Sequence, residues 1–405
     1  MPTGSVAVRS ARAGRRSGAA FLFFFATALV APVIPTYVVE TFGVGGVGVG
    51  VAVAAMGLPG LLARPIAGRF VDRRGPGVGV FVGGVLGVVA FVGQALAPAL
   101  VLFAIFRTFV GLADGFMLVG AARGSDDGRR GRGSAYTRFA ALFVAGTAIG
   151  PVVAVAISDR WGLRSVFFVA AGCAMVGTAV LGGPVPGRDR SVRVRTRGGW
   201  WRNFFFGPVV VAGIALGLAN LGFGAIYGFA VLRGRALGMT SPELLLSAFS
   251  ITLIAGRLIG SSWPDRFGLL RTTVVATLVS VIGLGIAGWS PSAPLFALGL
   301  VVVGCGYAFI MPAVLAETAA VAGELRSGAA VGTVMGLLDL VLTVGTVGLG
   351  VVSAQFGEAA TFTVSGGAAL ASLPLFIWWR VSAGEVSAAA TLPSSAPSRS
   401  PEHGR

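Results

Sequence analysis

The sequence predicts an all-α membrane protein, with twelve transmembrane helices arranged as two pseudo-symmetric six-helix bundles. Three observations predict it. The 405 residues are 55% hydrophobic and only 11% charged, with a mean hydropathy of +0.87. A soluble chain of this length carries about a quarter charged residues. Twelve apolar stretches are long enough to cross a hydrocarbon core roughly 30 Å thick. A charged phrase also occurs twice, 193 positions apart: Arg64, seven residues, Asp72-Arg73-x-Gly75, and then Arg257, seven residues, Asp265-Arg266-x-Gly268.

The spans read as 19–39, 44–66, 77–96, 99–121, 135–157 and 164–183 in the first half. In the second half they read as 204–230, 243–263, 271–289, 294–317, 328–352 and 360–379. The start, "RRSGAAFLFFFATALVAP", has the look of an export signal, but no cleavage pattern follows and eleven more spans do, so a retained first helix is expected. The second span is rich in glycine and valine ("VGGVGVGVAV"). Glycine is common in membrane helices, where close packing favours small residues and no water competes for the backbone. Residues 184–203 form a basic linker between the bundles, 19–183 and 204–380. Residues 1–18 are a basic amino-terminal segment, and 381–405, rich in Ala, Ser and Pro, read as a disordered tail. Trp161, Trp200, Trp201, Trp263, Trp289, Trp378 and Trp379 all fall at or near span ends, where an amphipathic ring prefers the headgroup layer.

Charge sets the orientation and excludes several function classes. Every basic residue is arginine. With the amino terminus inside, inner segments carry 26 arginines and outer segments four, which predicts a multi-pass inner-membrane protein with both termini cytoplasmic. The net charge of +16 is then topological, and no nucleic-acid partner is expected. The single histidine, His403, lies in the tail, and Cys173 and Cys305 stand alone in apolar runs. Histidine-based catalysis, a metal site and a disulfide framework are therefore not expected, nor is an enzyme.

Both charged phrases fall between the second and third spans of their own half, as a duplicated six-helix unit would place them. "GRGSAYTRFAALFVAGTAIGP" from Gly131 and "LRSGAAVGTVMGLLDLVLTVG" from Leu325 likewise open the fifth span of each half. Halves related in this way are a property of secondary transporters. Over residues 19–380 the chain resembles the major facilitator superfamily. The family's loop signature is met by Gly68, Asp72, Arg73 and Gly75, though Pro76-Gly77 follow where basic residues are usual. Its fourth-span signature is met by Arg107-x-x-x-Gly111. The fifth-span signature of antiporters is similar to Gly146-x-x-x-Gly150-Pro151 without the trailing glycine pair, and the first-span pattern of twelve-helix drug exporters resembles Pro32-Val33-Ile34-Pro35. The resemblance implies gating loops that hold Arg64, Gly68, Asp72, Arg73 and Gly75, with Arg257, Asp265, Arg266 and Gly268 as the second copy. It also implies a helix bend at Gly146, Gly150 and Pro151 that affects leakage and direction, against simple helix packing as the plainer account.

Charged groups at membrane depth are the informative ones: Arg107, Asp114 and Asp339. Each costs roughly 2.5–3.5 kcal/mol near the centre of an inserted helix, so each needs a partner or a watery cavity. Arg107 and Asp114 are seven residues apart, on one helix face and about 10 Å apart along the axis, and could line one cavity with Gly111 leaving room between them. Asp114 and Asp339 are candidates to carry a proton, or to be structural partners, and Asp339 could instead hold the halves together. Asn220 and Tyr227 share a face of the seventh span and could meet substrate or bond between helices. The first span holds no acid before Glu40, so proton coupling must use another span or be absent. The expectation is a transporter of small organic molecules working by alternating access. Proton-coupled efflux is preferred, and uptake of a sugar, organic anion or metabolite, or a membrane scaffold, are the alternatives. No cofactor is expected beyond a proton gradient; the partners are substrate, protons and lipid, and the unit is a monomer.

Overall fold

A computed structural model describes residues 3–124, 149–183, 207–260, 263–322 and 327–391. Every regular element among them is a helix. The first span is broken: helix Thr3–Val30 gives way to a turn and resumes as Ile34–Phe42, bent by 51°. Pro32 and Pro35 account for the break, because proline has no N–H to donate and its ring collides with the carbonyl four residues back. Pro35 falls in the first turn of the resumed helix, where a missing N–H costs little.

The second span comprises Gly46–Ala54 and Gly57–Arg74. Its charged phrase is helical, which corrects the expectation of a gating loop: Arg64, Gly68, Asp72 and Arg73 all lie on the helix, and Gly75 alone makes the turn, at φ +96°. The helix runs on to the bond from the Gly75 N–H to the Val71 carbonyl, so no loop forms earlier. The second copy repeats this. Arg257 lies on the eighth span, Leu244–Ile259, Asp265 and Arg266 lie on a short helix Trp263–Phe267, and Gly268 turns at φ +83°. Gly75 and Gly268 each precede the first residue of the next span, in backbone conformations that strain any other residue.

The remaining spans are Pro76–Leu96, Leu100–Gly124, 149–161 (the described part of the fifth) and Leu163–Val180 in the first half. The second half has Gly207–Ala219 with Gly222–Ala236 as a broken seventh span, then Leu269–Trp289, Ala293–Ala322, Ser327–Phe356 and Glu358–Thr391 as the ninth to twelfth. Among the described residues, nine helices are long and apolar enough to cross a membrane and the bent first span makes ten; Leu244–Ile259 is shorter, at 16 residues. The tail, expected to be disordered from residue 381, is helical as far as Thr391. Alanine-rich stretches such as Ala388–Ala390 favour helix over coil. The linker 184–203 lies outside the described residues.

Packing repeats between the halves. In the first, span three packs on four and six, span one on six, and span two on four. In the second, span nine packs on ten and twelve, span seven on twelve, and span eight on ten. Small residues permit the closest of these approaches. A Cβ at Gly83 would lie 2.9 Å from the Met117 nitrogen, and one at Gly283 would lie 2.6 Å from the Val303 nitrogen. In lipid, where apolar burial between helices gains little, such backbone proximity and its dispersion contacts hold helices together.

Candidate functional site

The halves meet along a seam made chiefly by spans two and eleven, with span seven against spans one and two. At the face opposite the Gly75 and Gly268 turns, the contact is backbone on backbone. A Cβ at Gly46 would sit 2.7 Å from the Gly350 carbonyl oxygen, and one at Gly50 would sit 2.8 Å from the Thr346 carbonyl oxygen. Gly57 lies against the Thr343 side chain one or two turns further along. The seam then reaches Arg64, whose Nη1 donates to Asp339 Oδ2 at 2.5 Å. This ion pair joins the two bundles at membrane depth, with side chains 27% and 19% exposed. Asp114 of the fourth span lies within electrostatic reach of both members. Gly115 packs against Ala63, the residue before Arg64, and so brings its neighbour Asp114 to the pair.

A second shared arginine closes the far end. Arg235, at the end of span seven, donates to Glu40 of the first span at 2.7 Å and to Glu243 of its own bundle at 3.2 Å. A vestibule of about 650 Å³ surrounds it, lined by Tyr37, Ser158, Asp159 and Arg164 among others. Arg64 and Arg235 thus have the same design: one acid across the seam and one at home.

The structure brings together some of the expected site residues and separates others. Arg64 moves from the gating group to the seam, and Asp339 and Asp114 join it there. Arg107 stands apart: it is 3% exposed, and its Nε and Nη1 have no hydrogen-bond partner. Gly111 does not make room for a ligand, because a Cβ there would collide with the Met56 carbonyl oxygen; it lets span four touch span two. Asn220 stands at a short interruption of the seventh span, between Gly207–Ala219 and Gly222–Ala236, and Tyr227 lies on the second of these helices. The Asn220 Nδ2 donates to the Leu216 carbonyl at 2.8 Å, and Tyr227 stacks on Phe223 of the same helix. Gly150 lies against Ala28 of the first span, with a Cβ approach of 2.8 Å, and Pro151 is buried beside it; Gly146 lies outside the described residues. Pro32 and Pro35 sit at the first-span bend.

Sequence reasoning missed an aromatic cluster. Phe223 stacks on Tyr307 at 4.7 Å and on Tyr227 at 6.2 Å, with Phe249 edge-on to Phe223 at 5.5 Å. The signal was weak, because aromatic residues in apolar helices are common and these come from spans seven, eight and ten. It also missed Glu317 Oε1 with Arg380 Nε at 2.8 Å, which ties span ten to span twelve.

The family model of the Major Facilitator Superfamily matches residues 17–240 and 212–401. The chain belongs to the major facilitator superfamily. Members of this superfamily similar to it include the uncharacterised MFS-type transporter YhhS of Escherichia coli (strain K12), 25% identical over 403 residues, covering 94% of this chain and 96% of that one. The uncharacterised MFS-type transporter PA14_38730 of Pseudomonas aeruginosa (strain UCBPP-PA14) is 28% identical over 380 residues, covering 88% and 90%. Among solved structures, a nucleoside transporter NupG mutant superposes with a TM-score of 0.78 at 12% identity, covering 91% of this chain and 99% of that one. A D-xylose-proton symporter superposes at 0.74 with 16% identity, covering 90% and 96%. This superfamily member is therefore a multi-pass membrane transporter with the major facilitator fold.

Proposed function

We propose that the chain moves small organic molecules across the inner membrane by alternating access, as a monomer with its arginine-rich face in the cytoplasm, and that a proton gradient drives export. The observation that carries this reading is Arg64, held between Asp339 of the opposite bundle and Asp114 of its own. Two charges 4 Å apart at an effective dielectric of 20 attract by about 4 kcal/mol. Shifting a two-state protein from 1:99 to 99:1 takes about 5.5 kcal/mol. Discharging Asp339 with a proton therefore supplies a large part of what opening the seam requires, and Arg64 then turns to Asp114. The exposed Arg235–Glu40 pair contributes about 0.2–1 kcal/mol and only trims the balance.

A second reading, movement of proton and cargo in the same direction, is favoured by the charge count. Arg64 faces two acids, which leaves that group at net −1, while Arg107 carries an unopposed positive charge. A proton on the acids and a negative cargo on Arg107 would neutralise both at once. Purified protein in vesicles with an internal pH dye separates the two readings: export by exchange moves protons against the cargo, and cotransport moves them with it. In the same vesicles, Asp339→Asn or Asp114→Asn is expected to abolish accumulation driven by a pH gradient while cargo exchange continues. Full gradient-driven transport in both variants rejects the proton-carrier assignment.

A further inference from the structure

We propose that the cargo is an organic anion whose carboxylate, sulfonate or phosphate group pairs with Arg107; this rests on the transport reading above, in either direction. The observation is an unpaired cation in an apolar bundle. Arg64, Arg235 and Arg380 each pair with acids, whereas Arg107 makes no such pair among the described residues. Two of its nitrogens are buried without a hydrogen-bond partner.

Among the described residues, no acid forms an ion pair with it. Asp114 lies two turns along the same helix, roughly 10 Å away along the axis, and faces Arg64. Asp339 holds Arg64, Glu40 and Glu243 hold Arg235, and Glu317 holds Arg380. A buried charge that lacks its partner costs several kcal/mol. A guanidinium cannot relieve that cost by losing its proton. The cargo, the molecule that enters a transporter, can supply the counter-ion. The planar N–H fork of a guanidinium matches a carboxylate or phosphate in two hydrogen bonds, and pairing in a low-dielectric site makes that contact selective for charge. Arg107 is 3% exposed in this seam-closed state, so the anion reaches it as the bundles rock apart.

The test uses the purified full-length protein and a panel of matched pairs, from benzoate and benzamide up to cholate and cholamide, with benzylamine as the cation. Thermal unfolding is read with and without each compound. At least one carboxylate is expected to raise Tm where its amide does not; Arg107→Gln removes that shift, and Arg107→Lys weakens the apparent affinity about tenfold or more. Without ligand, R107Q is expected to unfold at the same temperature as the wild type or higher, because an uncompensated buried charge has been removed. A lower Tm for ligand-free R107Q makes Arg107 a structural cation and overturns the proposal. So does an amide or benzylamine that stabilises as well as the carboxylates, an anion shift that survives R107Q, or no shift with any carboxylate. Translocation of the panel by wild-type vesicles is scored separately. If neutral or cationic members cross, the transport reading stands without the anion, and if none crosses the transport reading itself fails.

Discussion

Arg64 illustrates how one side chain can organise a seam. It sits one residue before Pro65 in a helix whose neighbours are apolar, and its partner lies 275 residues away in the chain. Because it faces two acids, the consequences of removing each partner differ. Asp339→Asn leaves Arg64 with Asp114, so one opposite charge remains at hand. Arg64→Gln leaves Asp114 and Asp339 as two carboxylates with no cation between them. Truncating one member of a buried pair costs about 3–5 kcal/mol when the other stays charged and unpaired. R64Q is therefore expected to lower Tm in detergent clearly more than D339N, and adding Asp114→Asn and Asp339→Asn to R64Q is expected to recover most of the loss. Equal Tm values for R64Q and D339N would remove Asp114 from the cluster. These residues share partners, so the single effects are not expected to add.

At the scale of elements, the seam depends on small residues in spans two and eleven. A Cβ at Gly350 would lie 2.6 Å from the Gly46 carbonyl oxygen. Backbone oxygen cannot swing aside as a flexible side chain can, so Gly350→Val is expected to push the two helices apart at the far face. The measurement is labelling of a cysteine placed at Ser353, which packs against Gly46. Cys173 and Cys305 are first replaced by serine, since Cys305 is exposed. Labelling by a membrane-impermeant maleimide should rise several-fold with Gly350→Val. An unchanged rate would mean that the contact does not hold the far face shut. Pro32 and Pro35 were legible as a first-span pattern, but the bend there came from the structure, since Pro65, Pro312 and Pro374 lie inside helices. The short interruption of the seventh span at Asn220–Leu221 had no signal in the residues, because nothing there forbids helix.

At the scale of the molecule, the duplicated phrase and the repeated packing agree. Gly75 and Gly268 turn the chain at the same point of each half, and the same pairs of spans touch in both. Two similar bundles joined by one seam can rock with little change inside either, which suits a protein that must open on alternate faces. The shared arginines are placed to report on that motion, since each has one partner across the seam and one at home. Vesicle transport at a fixed pH gradient should accordingly lose more from Asp339→Asn, at depth, than from Glu40→Gln, where both side chains are well exposed.

By itself the sequence determined the lipid environment, the order of the spans, the duplication and the positions that turn the chain. These follow from local chemistry: apolar length against bilayer thickness, proline without an N–H, glycine at positive φ. Only the tertiary structure decided which charges answer one another. It put Arg64 with Asp339 and Asp114, joined Arg235 to Glu40 across the seam, and left Arg107 unanswered. A charge buried in lipid must find a partner, but hydropathy along a chain carries no record of which helices will face each other.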